Sequence, residues 1–449
     1  MTKGSVYRHM LRFALPIFLS QVFQQLYNTA DTLIVGRYLG TEALAAVSSS
    51  SNLIFLITSF FIGTSMGAGV LISRFFGEGN NENISKAIHT AIAVGLISGV
   101  IMTAIGVGLS PTLLRWMNVD EAIMPLAIEY FKYYFWGVIT IIMYNVMTGI
   151  MNALGDSRRP LYYLIFSSLF NIGLDILFIG GFGFSVWSAA VATVISQLIS
   201  CIFCIIHLTQ KGHVYTIELK KIKIHTKILK AMLKYGMPSG AQNSVISLAN
   251  VILQSQINTF GMVATAGFGT QSKVQGFVFL PITSFNMAIT TFVSQNLGAN
   301  LQERTKKGAT FGIIVAVCLA QALGILCFIF APNFIALFDS NPDVIALGTE
   351  QARIEAAFYF LLAFSHSIAS VCRGAGKAMV PMFVMIGTWC AFRIAYIIAV
   401  MHIFGDIVYV YWAYPITWAL SSIIYLIYYL KSDWVHGFEK ERQKELISG

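Results

Sequence analysis

Long apolar blocks separated by short polar segments dominate the pattern of this 449-residue chain. About 20 consecutive apolar residues cross the hydrocarbon core of a bilayer as an α-helix. The strands of a membrane β-barrel instead alternate apolar and polar residues. We count twelve blocks of spanning length, centred near Leu26, Ile62, Gly99, Ile141, Leu174, Ser196, Ala249, Ser284, Leu319, Leu362, Arg393 and Ala419. The pattern predicts an all-α, polytopic membrane protein with twelve transmembrane helices, called spans 1 to 12.

Glycine, proline and polar residues recur at the same spacing in the two halves of the chain. Six pairs are separated by 221 positions: Gly40 and Gly261, Ser73 and Ser294, Gly77 and Gly298, Lys86 and Lys307, Gly155 and Gly376, Pro160 and Pro381. Glycine and proline positions are set by backbone geometry, so this coincidence indicates an internal repeat. Each half has an even number of spans, which predicts a parallel repeat of two pseudo-symmetric six-helix lobes.

One strongly polar stretch, residues 210–234, separates the two sets of six blocks. We therefore predict an N-lobe over residues 1–209 and a C-lobe over residues 235–431. Residues 210–234 would form a cytoplasmic linker, and residues 432–449 a cytoplasmic tail. Two such lobes facing each other would enclose a cleft that opens to either side, as alternating access requires.

Composition and charge placement agree with a membrane protein. The chain is 56% hydrophobic and only 11% charged, whereas soluble domains carry roughly a quarter charged residues. The net charge of +9 does not indicate nucleic-acid binding, because 23 of the 29 basic residues fall on one side of the predicted topology. That asymmetry predicts a multi-pass protein of the cytoplasmic (inner) membrane with both termini cytoplasmic. We therefore expect the lipid bilayer to surround the protein.

Two acidic residues fall inside predicted spans. Asp31 lies beyond the middle of span 1, and Asp175 lies in span 5 with Asn171 one helical turn before it. Ionisable side chains in hydrocarbon are candidates for function. We assign the other acidic residues, including Glu355, to loops or helix ends.

The pair offers two kinds of ion chemistry. Two carboxylates with an amide provide hard oxygen ligands for Na⁺. Alternatively, two close carboxylates in a low dielectric cannot both stay ionised, so the pair takes up H⁺. The choice between H⁺ and Na⁺ stays open. A structural role near the outer surface, with Arg37 as a partner of one carboxylate, is the alternative.

Pro16 near the start of span 1 is a candidate bend. Proline frees a carbonyl inside a helix, so a bend there could respond to the ion bound at Asp31. The alternative is that Pro16 and Pro238 both lie in the first helical turn, where proline is ordinary.

The C-lobe offers mainly neutral polar residues at its spans. Gln254, Gln256 and His366 are candidates for the lining of its cavity, and no carboxylate site is evident. Arg393 lies within span 11, where "FRI" aligns with "FNI" of span 5, so Arg393 is the counterpart of Asn171. It would neutralise an anionic group or, equally, organise helix backbones.

These motifs together resemble those of the multidrug and toxic compound extrusion (MATE) family. The segment from Leu15 to Ala46, which includes span 1, matches a family signature. The ends of spans 2 and 8 and the loop between spans 4 and 5 carry the motifs "ISRFFGEGN" (72–80), "VSQNLGAN" (293–300) and "GDSRRP" (155–160). The resemblance covers nearly the whole chain. It implies a monomeric secondary transporter that exchanges H⁺ or Na⁺ for amphipathic and often cationic compounds. H⁺ or Na⁺ is the coupling ion, and no cofactor is implied.

The resemblance also implies roles for particular residues. The family's N-lobe cation site corresponds to Asp31, Asn171, Asp175 and Thr193, which would also be the ligands of any Na⁺. Gln24 and Tyr27 match the polar positions one and two turns before the span 1 aspartate, and Asn145 is a further polar position of the pocket.

Two other functions predict features that can be compared with this sequence. A lipid-linked oligosaccharide or lipid II flippase of the same superfamily should line its cavity with several arginines, whereas Arg393 is the one we assign deep in a span. A membrane-embedded enzyme needs a catalytic constellation, and the sequence shows no P-loop, zinc spacing or nucleophile motif. We therefore expect neither an enzyme nor ATP as the energy source.

Overall fold

The computed structural model describes residues 1–117, 119–210 and 215–439, apart from the side chains of residues 52, 56, 59, 60 and 64. Residues 211–214 of the predicted linker and 440–449 of the predicted tail therefore lie outside the described residues.

Helices account for nearly all of the described chain, which contains no strand. Two π-helical segments, Ile176–Gly181 and Ile386–Phe392, and one short 3₁₀ helix, Leu219–Lys221, accompany the α-helices. The α-helices are α1 (Val6–Glu78), α2 (Asn81–Trp116), α3 (Met124–Trp136), α4 (Val138–Ala153), α5 (Arg158–Asp175), α6 (Trp187–Thr209), α7 (Thr226–Asn258), α8 (Met262–Gly298), α9 (Gln302–Ala336), α10 (Pro342–Ala356), α11 (Tyr359–Gly374), α12 (Met379–Met385), α13 (Arg393–Ile403) and α14 (Ile407–Lys431).

The twelve predicted spans are confirmed in this order of helices. Among the described residues, seven helices are long and apolar enough to cross a membrane, and two bent pairs, α3 with α4 and α10 with α11, bring the number to nine. The two arms of α1, which meet at Gly40, and helix α7 complete the twelve. Only 28% of the apolar window of α9 is buried inside the protein, so most of this helix faces hydrocarbon.

The backbone at the paired glycines shows the internal repeat directly. Gly40 and Gly261 have φ of 86° and 94° with ψ of −176° and −179°, and each marks the start of the even-numbered span of its hairpin. Gly155 and Gly376 have φ of 91° and 76°. Residues with a Cβ rarely adopt such angles, so the same turn demands glycine in both halves.

Hydrogen bonds repeat as well. The Ser73 hydroxyl donates to the carbonyl of Ala153 at 3.1 Å, and the Ser294 hydroxyl donates to the carbonyl of Gly374 at 2.8 Å. Donors and acceptors are both shifted by 221 positions. Because all four residues lie at helix ends that precede a loop, each bond ties two helix ends of one half together.

The chain forms two compact units. The N-unit comprises Leu19–Gly240, and the C-unit comprises Met1–Phe18 with the chain from Ala241 onward. The passage from one unit to the other occurs inside α1 and inside α7, two residues after Pro16 and two after Pro238. Both prolines therefore lie well inside helices, and the alternative that they occupy first turns is wrong. The predicted lobe boundaries at 209, 234 and 431 stay predictions.

Small residues bring two helices of the N-unit into backbone contact. Gly63 and Gly67 of α1 face Gly240 and Gly236 of α7, and a Cβ on Gly63 would lie 2.5 Å from the Gly240 Cα. A Cβ on Gly67 would overlap the Gly236 nitrogen and the Met232 carbonyl oxygen. Each helix contributes a Gly-x-x-x-Gly pair, the spacing that allows close packing in membranes.

Candidate functional site

Two acidic side chains meet inside the N-unit. Asp31 lies on the first arm of α1, and Asp175 is the last residue of α5 before the π-helical turn Ile176–Gly181. A π-helical turn holds one more residue per hydrogen-bonded loop than an α-helix, and such turns occur frequently at functional sites. The sequence gives no signal for this turn.

The carboxyl groups of Asp31 and Asp175 are within hydrogen-bonding reach of each other. Asp31 is 9% exposed and lines a cavity, whereas Asp175 is completely buried and does not line it. An ion arriving from the cavity therefore meets Asp31 first, and Asp175 lies behind it.

The polar atoms around this pair lack donors and acceptors among the described residues. Asp31 Oδ1, both carboxylate oxygens of Asp175 and both side-chain polar atoms of Asn171 are buried without a hydrogen-bond partner. Buried polar groups are normally hydrogen-bonded. A cluster of unsatisfied buried oxygens fits a small cation or a proton shared between the carboxyls.

The cavity beside Asp31 has a volume of about 420 Å³ and lies within the N-unit. Pockets for drug-sized molecules typically measure about 300–1,000 Å³. Its wall combines polar and aromatic side chains, including Gln24, Tyr27, Asn28, Asp31, Thr32, Ser51, Thr58, Phe61, Ser65, Tyr130, Tyr134, Asn145 and Thr193. The three predicted polar residues of the pocket, Gln24, Tyr27 and Asn145, therefore line this cavity with Asp31. Thr193, predicted for the cation site, lines it as well.

Two tyrosine hydroxyls of the cavity wall lie near the acidic pair. The Tyr27 hydroxyl is within hydrogen-bonding reach of Gln24 and Gln197, and it feels the charge of Asp31. The Tyr130 hydroxyl likewise reaches Ser51. We did not single out Ser51, Tyr130 or Gln197 from the sequence. Their helical spacing alone does not separate a cavity wall from ordinary packing, because the bend between α3 and α4 decides which face is presented.

A smaller cavity of about 60 Å³ adjoins the first. The two share Phe61, Ser65, Ile142 and Asn145 as lining residues, and the smaller one extends along α2 and α7. The Asn145 amide donates to the Ile141 carbonyl at 2.8 Å, which fixes the side chain at the junction.

The predicted residues of the C-lobe cavity have different neighbours in the structure. Gln254 donates to Asn258 at 2.9 Å on its own helix. His366 does lie near Arg393, because both pack against Trp389: the imidazole edge-on at 5.2 Å and the guanidinium at 5.3 Å from the indole ring.

The prediction that the C-lobe contains no intramembrane carboxylate is wrong. Glu355 is 1% exposed and accepts hydrogen bonds from Gln271, Gln275 and Gln351 at 3.1, 3.0 and 2.7 Å. Helices α10 and α11 form one bent span, with an angle of 54° between them. The end of α10 therefore lies inside the protein rather than at a loop, which the sequence pattern does not reveal.

No group of three or more histidine, cysteine, aspartate or glutamate side chains is arranged to hold a metal ion in the described part of the chain. Asp31, Asn171 and Asp175 instead offer two carboxylates and one amide. That donor set suits a monovalent, oxygen-preferring cation or a proton better than a transition metal.

Comparison with known proteins agrees with this architecture. The family model described as MatE matches residues 16–177 and again residues 238–399, once in each half. The probable multidrug resistance protein YoeA of Bacillus subtilis is 28% identical over 95% of this chain and 94% of its own length. The probable multidrug resistance protein NorM of Thermotoga maritima is 26% identical over 98% and 96%. An FAD transporter of Shewanella oneidensis is 24% identical over 75% of each chain.

Solved structures show the same fold. A MOP superfamily transporter from Pyrococcus furiosus superimposes with a TM-score of 0.90 at 25% identity, covering 95% of this chain and 96% of that one. An outward-facing multidrug resistance MATE family transporter gives a TM-score of 0.89 at 24% identity, with the same coverage. With both halves matched by the family model and the twelve-span repeat in place, this chain is a multi-pass membrane protein that belongs to the MATE family of multidrug efflux transporters.

Proposed function

We propose that this protein is a secondary active efflux transporter that exchanges H⁺ or Na⁺ for amphipathic, often cationic compounds by alternating access. The coupling ion binds in the N-unit at Asp31, Asn171 and Asp175, with Thr193 on the adjoining cavity wall. The protein resides in the inner membrane with both termini cytoplasmic, and it needs neither ATP nor a resident cofactor.

The observation that carries this proposal is the proximity of two buried carboxyl groups, three of whose four oxygens are buried with no hydrogen-bond donor in the described chain. Two carboxylates in contact inside a protein repel each other and have lost their hydration, so both cannot remain charged without a positive partner. A proton or a Na⁺ supplies that partner. Loss of the ion leaves a state that favours a substitute positive charge.

A cationic substrate can supply that charge. The cavity is large enough for part of a drug-sized molecule, it has Asp31 in its wall, and Tyr27, Tyr130 and Tyr134 present aromatic rings to it. Aromatic faces attract cations without requiring a fixed hydrogen-bond geometry, which suits substrates of varied shape. Substrate and ion then compete for Asp31, and the competition gives exchange.

The flippase alternative is not favoured. A carrier of anionic lipid-linked sugars needs arginines that are open to its cargo. Arg393 is only 2% exposed, and its Nη2 donates to the Thr417 hydroxyl at 2.8 Å. It is therefore engaged inside the C-unit.

Reconstitution tests the proposal. Purified protein in proteoliposomes should transport the cationic dye ethidium when either a pH gradient or a Na⁺ gradient is imposed alone, and the gradient that works identifies the ion. The double variant Asp31→Asn/Asp175→Asn should be inactive under both gradients. If neither gradient drives dye movement in the wild type, the protein is not an ion-coupled antiporter.

A further inference from the structure

A second buried charged cluster lies in the C-unit, away from the candidate cation site. Glu355 and Arg393 are its charged members, with exposed fractions of 1% and 2%. Neither is used by the proposed coupling mechanism. Two full charges this deep in a membrane protein are costly unless they compensate each other, so the cluster requires an explanation.

The acidic member is surrounded by hydrogen-bond donors. Three amide groups, those of Gln271, Gln275 and Gln351, donate hydrogen bonds to its two oxygens, and Gln271 also donates to the Tyr359 hydroxyl at 3.3 Å. Amide N–H donors stabilise a carboxylate rather than a carboxylic acid. The positive charge that balances it must come from nearby.

Arg393 is that charge. Its guanidinium lies 4.7 Å from the centroid of the Tyr414 ring and 5.3 Å from that of Trp389, and its Nη2 donates to Thr417. The charges of Glu355 and Arg393 act on each other and both act on Tyr414. The guanidinium is held by hydrogen bonding and cation–π contacts from three side chains, so its position does not depend on a direct ion pair.

The internal repeat identifies the N-unit counterparts of the residues in this cluster. Through the 221-residue shift, Glu355 is the counterpart of Tyr134, which lines the cavity beside Asp31. Through the "FNI" and "FRI" match, Arg393 is the counterpart of Asn171. The counterpart of Asp175 is Ile397, and that of Asp31 is Ile252 or Leu253, all apolar. At these positions the N-unit has two acids and no basic residue, whereas the C-unit has one acid and one fixed cation.

Each of the two spans also contains a π-helical turn next to its charged residue. The π-helical turn Ile176–Gly181 begins immediately after Asp175, and the π-helical turn Ile386–Phe392 ends immediately before Arg393. In both halves, the altered turn borders the charged residue of the same span. The first turn follows Asp175 and the second precedes Arg393, so the two turns are not counterparts in the repeat. The equivalence of the two clusters rests instead on the residue pairs Tyr134 with Glu355 and Asn171 with Arg393.

We propose that the Arg393 guanidinium is a built-in cation that occupies, in the C-unit, the place a free coupling ion takes in the N-unit, with Glu355 as its counter-charge. Replacing the guanidinium with an uncharged side chain should therefore uncover a site for a monovalent cation or a proton beside Glu355. The consequence that coupling is confined to the N-unit rests on the proposed function; the charge pair itself does not.

Thermal unfolding of purified variants tests the proposal in a background in which the N-unit site is removed, Asp31→Asn/Asp175→Asn. Adding Arg393→Met should make the midpoint respond to ions: we expect a rise of about 3 °C or more when Na⁺ replaces choline, or on acidification. The background alone and the background with Arg393→Lys, which keeps the charge, should not respond. Adding Glu355→Gln to Arg393→Met should remove the response.

The outcomes are decisive even if the neutral variant does not accumulate. A buried carboxylate without its cation is strongly destabilising, whereas loss of both charges is tolerated. If the Arg393→Met variant fails to fold, the Arg393→Met/Glu355→Gln variant should fold again, which supports the pair. The proposal is overturned if the folded Arg393→Met variant shows no ion response, if the response survives Glu355→Gln, or if the double replacement fails as badly as Arg393→Met. Because the background lacks both N-unit carboxylates, none of these results depends on where transport is coupled.

Discussion

Asp31 lies in the wall of a cavity, and its carboxyl group reaches that of the completely buried Asp175. This arrangement separates two tasks that a single acidic residue would combine. Under the proposed function, Asp31 meets ions and substrates in the cavity, and Asp175 provides the second negative charge that makes the pair depend on a cation. The following predictions test this relationship and the scaffold that produces it.

Asp31→Asn should abolish efflux of ethidium from cells. The amide keeps the shape of the carboxyl group and removes the charge for which ion and substrate compete. Efflux and expression level are measured together in cells that carry the variant. Glu42→Gln, an exposed acid two residues after the Gly40 turn, is the matched control and should transport like the wild type. Export by a normally expressed Asp31→Asn variant would remove this residue from coupling.

Gly67→Ala should lower the stability of the protein, whereas Gly69→Ala should not. A Cβ at Gly67 would overlap backbone atoms of α7, while no atom lies within 4 Å of a Cβ at Gly69. Overpacking of this kind costs about 1–3 kcal/mol, and backbone cannot move aside as a flexible side chain does. Thermal unfolding in detergent compares the two variants. Equal midpoints would show that the Gly-x-x-x-Gly contact is not tight.

Gly40→Ala should also destabilise, for a different reason. There is open space around Gly40, so the penalty of about 1–3 kcal/mol comes from its φ of 86°. Gly269→Ala is the control, because Gly269 lies inside α8 with equal space and no positive φ. Alanine favours a helix interior, so this control should be neutral or stabilising. A Gly40→Ala variant as stable as the control would contradict the described turn.

Ser73→Ala and Ser294→Ala should have similar effects, because the two hydroxyls make equivalent hydrogen bonds in the two halves. Each loses one buried bond worth about 1 kcal/mol. The free energy of unfolding of each variant is compared with that of Ser48→Ala, whose side chain is exposed. A large difference between the first two variants would mean that the halves are less alike in energy than in geometry.

Much of the fold follows from the sequence because its causes are local. A block of apolar residues determines a span wherever it occurs, so every predicted centre, from Leu26 to Ala419, lies in a helix. Gly40 and Gly261 predict the same turn in both halves, because residues with a Cβ do not fit its backbone angles. Asp31 and Asp175 stand out because charged residues are rare in spans. The helical spacing puts Asn171 on the same face as Asp175.

The remaining features depend on tertiary structure. Glu355 is buried because α10 and α11 join into one bent span, which its position near a helix end concealed. Pro16 lies well inside α1 because the helix extends to Val6, beyond the apolar block. The π-helical turns beside Asp175 and Arg393 have no sequence signature, although they shape both charged clusters.

Ion release on substrate binding tests the central claim most directly. Purified protein in weakly buffered detergent is mixed with ethidium, while a pH indicator or ²²Na⁺ reports the release of H⁺ or Na⁺. The wild type should release one of the two ions on dye binding, and Asp31→Asn and Asp175→Asn should release neither. Equal release from the wild type and both variants, or dye binding to the wild type without release of either ion, would contradict coupling at the Asp31–Asp175 pair.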